Sequence, residues 1–309
     1  MQRVPERLPA VVAENQRCVY LIDASIYIFR AYYSVPDNLF NADGQPINAL
    51  HGFAGFLASF LDEAKPEHLA VVFDESLTTS FRNAIYPEYK ANREPPPDEL
   101  KQQFQSCRTL VQSLGMADFS SASFEADDLI GTLAARMRKQ GYAVVILSAD
   151  KDLAQLLEAP DLLWDYARHR RHFYNDIPAW LGVEAWQVAD WLALTGDSVD
   201  NIPGVPGIGA KTAAALLAEF DTLDSLYQQL DAVAGLKIRG AARVQRLLQE
   251  HRAAAMLARQ LTAIALDPAL QVKDSDIACR CVPAAEVQDV CARLGLGRMT
   301  ASRLARALS

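Results

Sequence analysis

Cysteine is scarce in this chain and nowhere paired: Cys18, Cys107, Cys279, Cys281 and Cys291 make an odd five in 309 residues, with no CxxC. That excludes a disulfide framework and a zinc ribbon, and reduced thiols are expected. No apolar run approaches the length of a membrane span, so no membrane partner is expected. Residues 1–17 are polar and charged, with Pro5 and Pro9, and lack the apolar stretch of a signal peptide; they read as a loosely packed arm on a cytoplasmic protein. Positive charge is also short, 30 Lys and Arg against 38 Asp and Glu, for a net −8. At first this speaks against a nucleic-acid partner, because phosphate backbones are held by clustered cations. The inference fails if the acids are gathered at one site and leave the remaining surface neutral or basic. With half its residues hydrophobic, the chain can bury a large core, as one big domain or two smaller ones.

Ser123-Phe124-Glu125-Ala126-Asp127-Asp128-Leu129-Ile130 sets three carboxylates within four residues, just ahead of an apolar helical pattern through Leu133, Ala134 and Met137. Acids in a first turn complement the helix dipole, and Ser123 is a candidate N-cap, so helix punctuation is one reading. Three like charges this close also repel one another unless a cation or proton compensates.

Elsewhere the chain repeats one grammar. Cys18-Val-Tyr-Leu-Ile-Asp23 is a continuous apolar run ending on an acid and followed by helical sequence. Leu69-Ala-Val-Val-Phe-Asp74 comes after a helix expected over 49–64, and Ala143-Val-Val-Ile-Leu-Ser-Ala-Asp150 after the helix that begins with the three acids. Such runs predict strands buried on both faces in a βαβ architecture, where ligands sit off the carboxyl ends of the strands. Asp23, Asp74 and Asp150, with Asp152, then share one sheet edge.

Between Ser80 and Gln105, the spacing of Arg82, Tyr86, Tyr89, Lys90 and Arg93 predicts a basic and aromatic stripe along one helical face, a combination suited to single-stranded nucleic acid. Pro95-Pro96-Pro97 breaks that helix, and a second is expected from Asp98 toward Leu114, stopped by Gly115. Further on, Asp197 and Asp200 precede Gly204-Val-Pro-Gly207-Ile-Gly209-Ala-Lys211-Thr212, which leads into an apolar helix over 213–220. Ala210 separates Gly209 from Lys211, which breaks a Walker A pattern, and the glycine order is wrong for a dinucleotide fingerprint. A helix–hairpin–helix turn fits, its backbone N–H groups approaching a duplex phosphate at a helix N-terminus. Arg239, Arg243 and Arg246 are spaced to share one helical face and extend that contact, although a solvated face explains them nearly as well. His169 and His172 lie on opposite faces of an expected strand–turn and make no zinc pair.

Taken together, Asp23, Asp74, Glu125-Ala-Asp127-Asp128, Asp150-Lys-Asp152 and Gly196-Asp197-Ser-Val-Asp200-Asn-Ile-Pro-Gly, with Phe81-Arg82 and Tyr89-Lys90-Ala-Asn-Arg93, resemble the motif series of the structure-specific 5′-nucleases. The nearest resemblance is to the 5′–3′ exonuclease domain at the N-terminus of bacterial DNA polymerase I. It covers residues of about 17–265, and all nine of the family's metal-site carboxylates are matched.

The resemblance implies a PIN-like α/β fold: a mostly parallel central sheet flanked by helices, with a helical arch over 80–115 and a helix–hairpin–helix (H3TH) subdomain. The expected division is an arm over 1–17, a nuclease domain over 18–195, the hairpin subdomain over 196–265 and an extension over 266–309. The implied activity is metal-dependent 5′–3′ exonuclease and flap-endonuclease cleavage of branched or 5′-flap DNA by a monomer, in replication and repair. Asp23, Asp74, Glu125 and Asp127 would surround one ion and Asp150, Asp152, Asp197 and Asp200 a second, with Asp127 the bridge and Asp128 in the outer shell. All-oxygen ligands favour Mg²⁺, with Mn²⁺ able to substitute. Lys90, Arg93 and Arg82 would serve catalysis, and Tyr86, Tyr89, Gly204, Gly207, Gly209, Lys211, Thr212, Arg239 and Arg243 would contact DNA, with K⁺ possible at the hairpin turn. Removing nine site charges from −8 leaves +1, so a DNA-facing surface can be attractive despite the acidic total. A catalytically silent binder of branched DNA and a PIN-type ribonuclease are the alternatives.

Overall fold

The computed structural model describes residues 17–75 and 79–309. The expected arm over 1–17 therefore lies outside the described residues except for Arg17.

Six strands form one sheet in the order β3-β2-β1-β4-β5-β6. They are β1 (Cys18–Asp23), β2 (Leu69–Val72), β3 (Ala117–Phe119), β4 (Ala143–Leu147), β5 (Leu162–Asp165) and β6 (Arg170–Phe173). All pairings are parallel except β5 with β6, a hairpin that closes one edge. The three strands expected from the apolar runs are the central ones. Their alternation divides two cores: Val19, Leu21, Ala70, Val72, Val144 and Ile146 face one, and Tyr20, Ile22, Leu69, Val71, Val145 and Leu147 the other. A strand buried on both faces needs apolar residues at every position, which is why these runs do not alternate with polar ones.

On one face lie α5 (Ala126–Lys139) and a helical layer made of α7 (Val188–Thr195), α8 (Ala210–Phe220), α9 (Leu223–Gln228), α10 (Ala241–Glu250) and α11 (Arg252–Thr262). Its apolar core is continuous with that of the sheet, so the boundary expected at 195/196 falls inside one packed unit, at the end of α7. The other face carries α1 (Ala24–Ser34), α2 (Asn48–Ala64), α4 (Asp98–Ser113), α12 (Ala284–Arg293) and α13 (Arg298–Ala307). The extension over 266–309 thus ends in a helical pair, with Arg303 donating to Ser59 and Arg306 paired with Asp62 on α2. The short α3 (Phe81–Ile85) and α6 (Ile177–Leu181) complete the α-helices among the described residues.

The chain leaves β1 toward β2 and β3, then returns to β4 on the other side of β1. Asp23 and Asp150 stand at that switch point, where a crevice opens off the carboxyl ends of the strands.

Candidate metal centre and nucleic-acid interface

A cavity of about 720 Å³ occupies that crevice, and Asp23, Asp74, Glu125, Asp127, Asp150 and Asp200 line it together with Lys90 and Arg93. Each acid arrives from a different local geometry. Asp23 ends β1 and accepts from Ser148 Oγ at 2.9 Å. Asp74, two residues beyond β2, accepts from Ser25 Oγ at 2.9 Å and from the Ala126 N–H at 2.8 Å, which ties it to the start of α5. Asp150 opens a 3-10 turn by accepting from the Asp152 N–H at 2.9 Å. Asp197 and Asp200 lie in the loop after α7, where Asp197 pairs with Ile202 and accepts from the Val199 N–H. Asp152 and Asp197 flank Asp150 without lining the cavity.

Crowding shows in the electrostatics. Burial, then the charges of Asp74 and Asp150, push Asp23 up to about 7. Burial and the neighbouring Asp150 likewise push Asp152 up to about 7. Asp127 is held well above the ordinary carboxylate range by burial and by Asp150, Asp23 and Asp74, and Asp150 is raised as well, chiefly by burial. A protein that places carboxylates where they resist ionising has a site in which a cation is strongly favoured. The donors fit a hard divalent ion: all are carboxylate oxygens, with no Cys or His among the cavity's lining. Buried Asp152 Oδ1 has the adjacent Lys151 ammonium at 3.2 Å. Among the described residues no three of these groups converge as a closed ligand set.

Asp128 is different, since it does not line the cavity. It is fully buried, accepts from Arg82 Nη1 and Nη2 at 2.6 and 2.8 Å, and also takes the N–H groups of Glu125 at 3.1 Å and Ala265 at 2.8 Å. With four donors on two oxygens, it has no lone pair facing the cavity. The Glu125 N–H bond also corrects the capping expectation: Glu125, not Ser123, is the N-cap of α5. Arg82 in turn sits 2 % exposed, donating also to the carbonyls of Leu261 and Ala263 at the end of α11. It is removed from the surface and joins three elements behind the pocket.

Nor do Arg82, Tyr86, Tyr89, Lys90 and Arg93 form one helical face. α3 ends at Ile85 because Pro87 follows, driving Tyr86 into an extended conformation, and 86–93 is a series of turns. Tyr89 is buried at 4 % exposure, so it is not a stacking surface; its hydroxyl donates to Glu125 Oε2 at 2.8 Å. Tyr86 is half-buried against the sheet-side core. The turns instead aim Lys90 into the cavity, with Nζ 2.6 Å from Glu125 Oε1 and 3.9 Å from Asp200 Oδ2, and pair Arg93 with Asp200. Burial pushes Glu125 upward, but Lys90 and Arg82 outweigh it and hold the group below its usual range.

The second half of the expected arch forms as read, α4 running from Asp98 to Ser113 before Gly115 turns the chain at φ +70°. The cavity's outer wall went unnoticed in the sequence: Lys101, Phe104, Gln105 and Arg108 on α4 face the carboxylates. Their i, i+3, i+4, i+7 spacing was a signal that one face of this helix looks inward.

At the hairpin, Gly196 and Gly204 meet back to back: a Cβ on Gly204 would lie 2.3 Å from the Gly196 nitrogen. Gly209 caps α8 with open space where a side chain would stand, beside exposed Lys211 and half-buried Thr212. Gly207 turns at φ +85°, and Arg243 Nη2 lies 4.0 Å from where its Cβ would be. Arg239 does not share the α10 face with Arg243, because Gly240, at φ +73°, separates it from the helix.

An acidic crevice off a parallel sheet, faced by Lys90, Arg93, Lys101 and Arg108 and flanked by a glycine hairpin, is the arrangement of a metal-binding α/β protein. Residues 18–176 match the family described as the 5′-3′ exonuclease N-terminal resolvase-like domain, and residues 183–284 match the 5′-3′ exonuclease C-terminal SAM fold. The chain belongs to the 5′-3′ exonuclease family. It is 34% identical over 260 residues to the 5′-3′ exonuclease of Buchnera aphidicola, covering 84% of this chain and 90% of that one. It is also 38% identical over 264 residues to DNA polymerase I of Rhizobium leguminosarum, covering 81% of this chain and 26% of that protein. The chain therefore spans about a quarter of that polymerase. Among solved structures, the T5 D15 protein co-crystallized with metal ions aligns with a TM-score of 0.65 at 19% identity, covering 94% of this chain and 98% of that one. The catalytic core of Rad2 in complex with DNA substrate aligns at 0.61 and 13% identity, covering 95% and 93%. At such identities these two show the shared fold.

Proposed function

We propose that this chain is a divalent-metal-dependent 5′–3′ exonuclease and flap endonuclease that hydrolyses phosphodiester bonds at 5′ ends or flaps of branched duplex DNA. The observation that carries the reading is one cavity in which seven carboxylates, Glu75 among them, gathered from strand ends, the start of α5 and the loop after α7, face Lys90 and Arg93. Family membership and the DNA and metal ions named for its structural neighbours support it.

Asp23, Asp74, Glu125 and Asp127 are assigned to one ion and Asp150, Asp152, Asp197 and Asp200 to a second, with Asp127 between them. Mg²⁺ is the proposed metal, Mn²⁺ a substitute, and K⁺ a ligand of the hairpin turn. Two bound ions would supply an activated water and charge neutralisation for an in-line displacement. The chain's own residues do the rest. Lys90 and Arg93 bind the scissile phosphate and offset charge growing on it, exchanging their carboxylate partners for phosphate oxygens. Lys101, Phe104, Gln105 and Arg108 form the wall along which a 5′ strand passes. Gly204, Gly207, Gly209, Lys211, Thr212 and Arg243 hold a duplex phosphate at the start of α8, so that junction shape rather than base sequence is read.

The test is a labelled 5′-flap duplex incubated with Mg²⁺ and with EDTA, beside a matched RNA flap. Mg²⁺-dependent release of the DNA flap is expected. Binding without cleavage would replace this reading with a silent branched-DNA binder, and preference for RNA with a ribonuclease.

A further inference from the structure

Two asparagines that no catalytic role absorbs stand where the arch base meets the loop after α7. Asn201 Nδ2 donates to the Glu88 carbonyl at 2.6 Å, and Asn92 Nδ2 donates to the Ser198 carbonyl at 2.8 Å. Between these, the Lys90 N–H bonds the Asp200 carbonyl at 2.9 Å, Arg93 Nε reaches the Val199 carbonyl at 3.4 Å, and the Arg93 guanidinium pairs with Asp200. Segments more than 100 residues apart are thus sewn together at several points, two of them carboxamide donors, and each segment carries a group that enters the cavity.

The backbone at the seam is unusual on both sides. Lys90 and Asn201 each hold φ +56°, a region that non-glycine residues enter at a cost. For Lys90 this conformation bends the chain so that its side chain enters the cavity while its N–H bonds Asp200. Asparagine is among the residues that tolerate this region best, and at 201 it also supplies the carboxamide donor that reaches across. A strained residue stays where it is only when its surroundings over-determine it, and here the surroundings are the opposite loop.

We infer that Asn201 and Asn92 are positioning residues that lock the arch base to the loop after α7, setting Lys90 and Arg93 in register with Asp200. The inference deepens the nuclease reading and rests on it. If the lock is opened, Lys90 and Asp200 each keep their chemistry but lose their fixed separation, and such misplacement lowers turnover without removing a contact to the duplex.

The experiment compares wild type, Asn201→Ala, Asn201→Gly and Asn92→Ala for single-turnover cleavage of a 5′-flap duplex in Mg²⁺, for flap binding in EDTA, and for thermal unfolding. Asn201→Gly accepts the backbone angle and lacks the donor, so it separates the carboxamide from the φ cost. About tenfold or greater loss of rate is expected in both Asn201 variants, with binding within about threefold of wild type. In a Lys90→Ala background, Asn201→Ala should add little further loss, because it acts through Lys90; a fully additive loss would assign it a separate role and overturn the inference. Wild-type rate in Asn201→Gly, provided wild type itself cleaves, would also overturn it. Absence of cleavage by wild type would instead sink the nuclease reading.

Discussion

Asp127 and Asp128 are neighbours in the chain and opposites in the fold. Asp127 faces a cavity where burial and like charges raise its pKa, while Asp128 points behind it into Arg82 and two backbone N–H groups. The same contrast divides two regions. Around the cavity, Asp23, Asp127 and Asp150, with Asp152 beside them, are crowded and incompletely compensated; Asp128, behind it, is matched by Arg82, and Glu125, although it lines the cavity, by Lys90, Arg82 and Tyr89. An acid of the first kind is poised for an ion. Asp128 instead holds the frame that keeps the first in place.

Removing one member of the buried pair should do most damage to the frame. Arg82→Ala is expected to cost about 3–5 kcal/mol in stability, because Asp128 is left charged and buried; denaturant unfolding measures it, and a loss below about 1 kcal/mol would erase the distinction between the regions. Asp127→Asn should act the other way, leaving metal-free stability unchanged or higher while cutting flap cleavage about 100- to 1,000-fold, since one like charge leaves the cavity. Unchanged cleavage would end the assignment of Asp127 between the ions.

Titration should separate the regions by sign. Asp23 and Asp152, at about 7, keep protons that the unfolded chain releases near its ordinary 3.8. Their contribution to stability in EDTA is therefore present at acid pH and lost as pH rises toward 7. Glu125, held below its ordinary 4.5, contributes above that value and loses its share as pH falls. A thermal melt series in EDTA should show the neutral-side loss, and Mg²⁺ or Mn²⁺ should reverse it; insensitivity to added metal would contradict the fit of the carboxylates to a divalent ion. The smallest expected effect is Tyr89→Phe, which removes one of the two donors to Glu125 Oε2 at about 1 kcal/mol of stability, with Arg82 and Lys90 still in place.

Much of this was legible because buried parallel strands write their own signature. The three central strands, their terminal acids, the start of α4 after Pro97 and the hairpin glycines all follow from local chemistry. The misreading of 82–93 as one stripe came from spacing taken without Pro87, which outranks periodicity wherever it falls. Burial of Arg82 and Tyr89 carried no local mark, since their partners are 43 and 36 residues away at Glu125 and farther still at the end of α11.

The residues alone determined that many acids must share one end of a parallel sheet, because strand period, apolar runs and chain order are local properties. Only the tertiary structure decided which acids face the cavity and which face Arg82. That choice depends on where α5 starts relative to β2 and on where α11 delivers its last carbonyls. It also decided that the arch base and the loop after α7 meet, a contact between distant segments that no spacing within either one encodes.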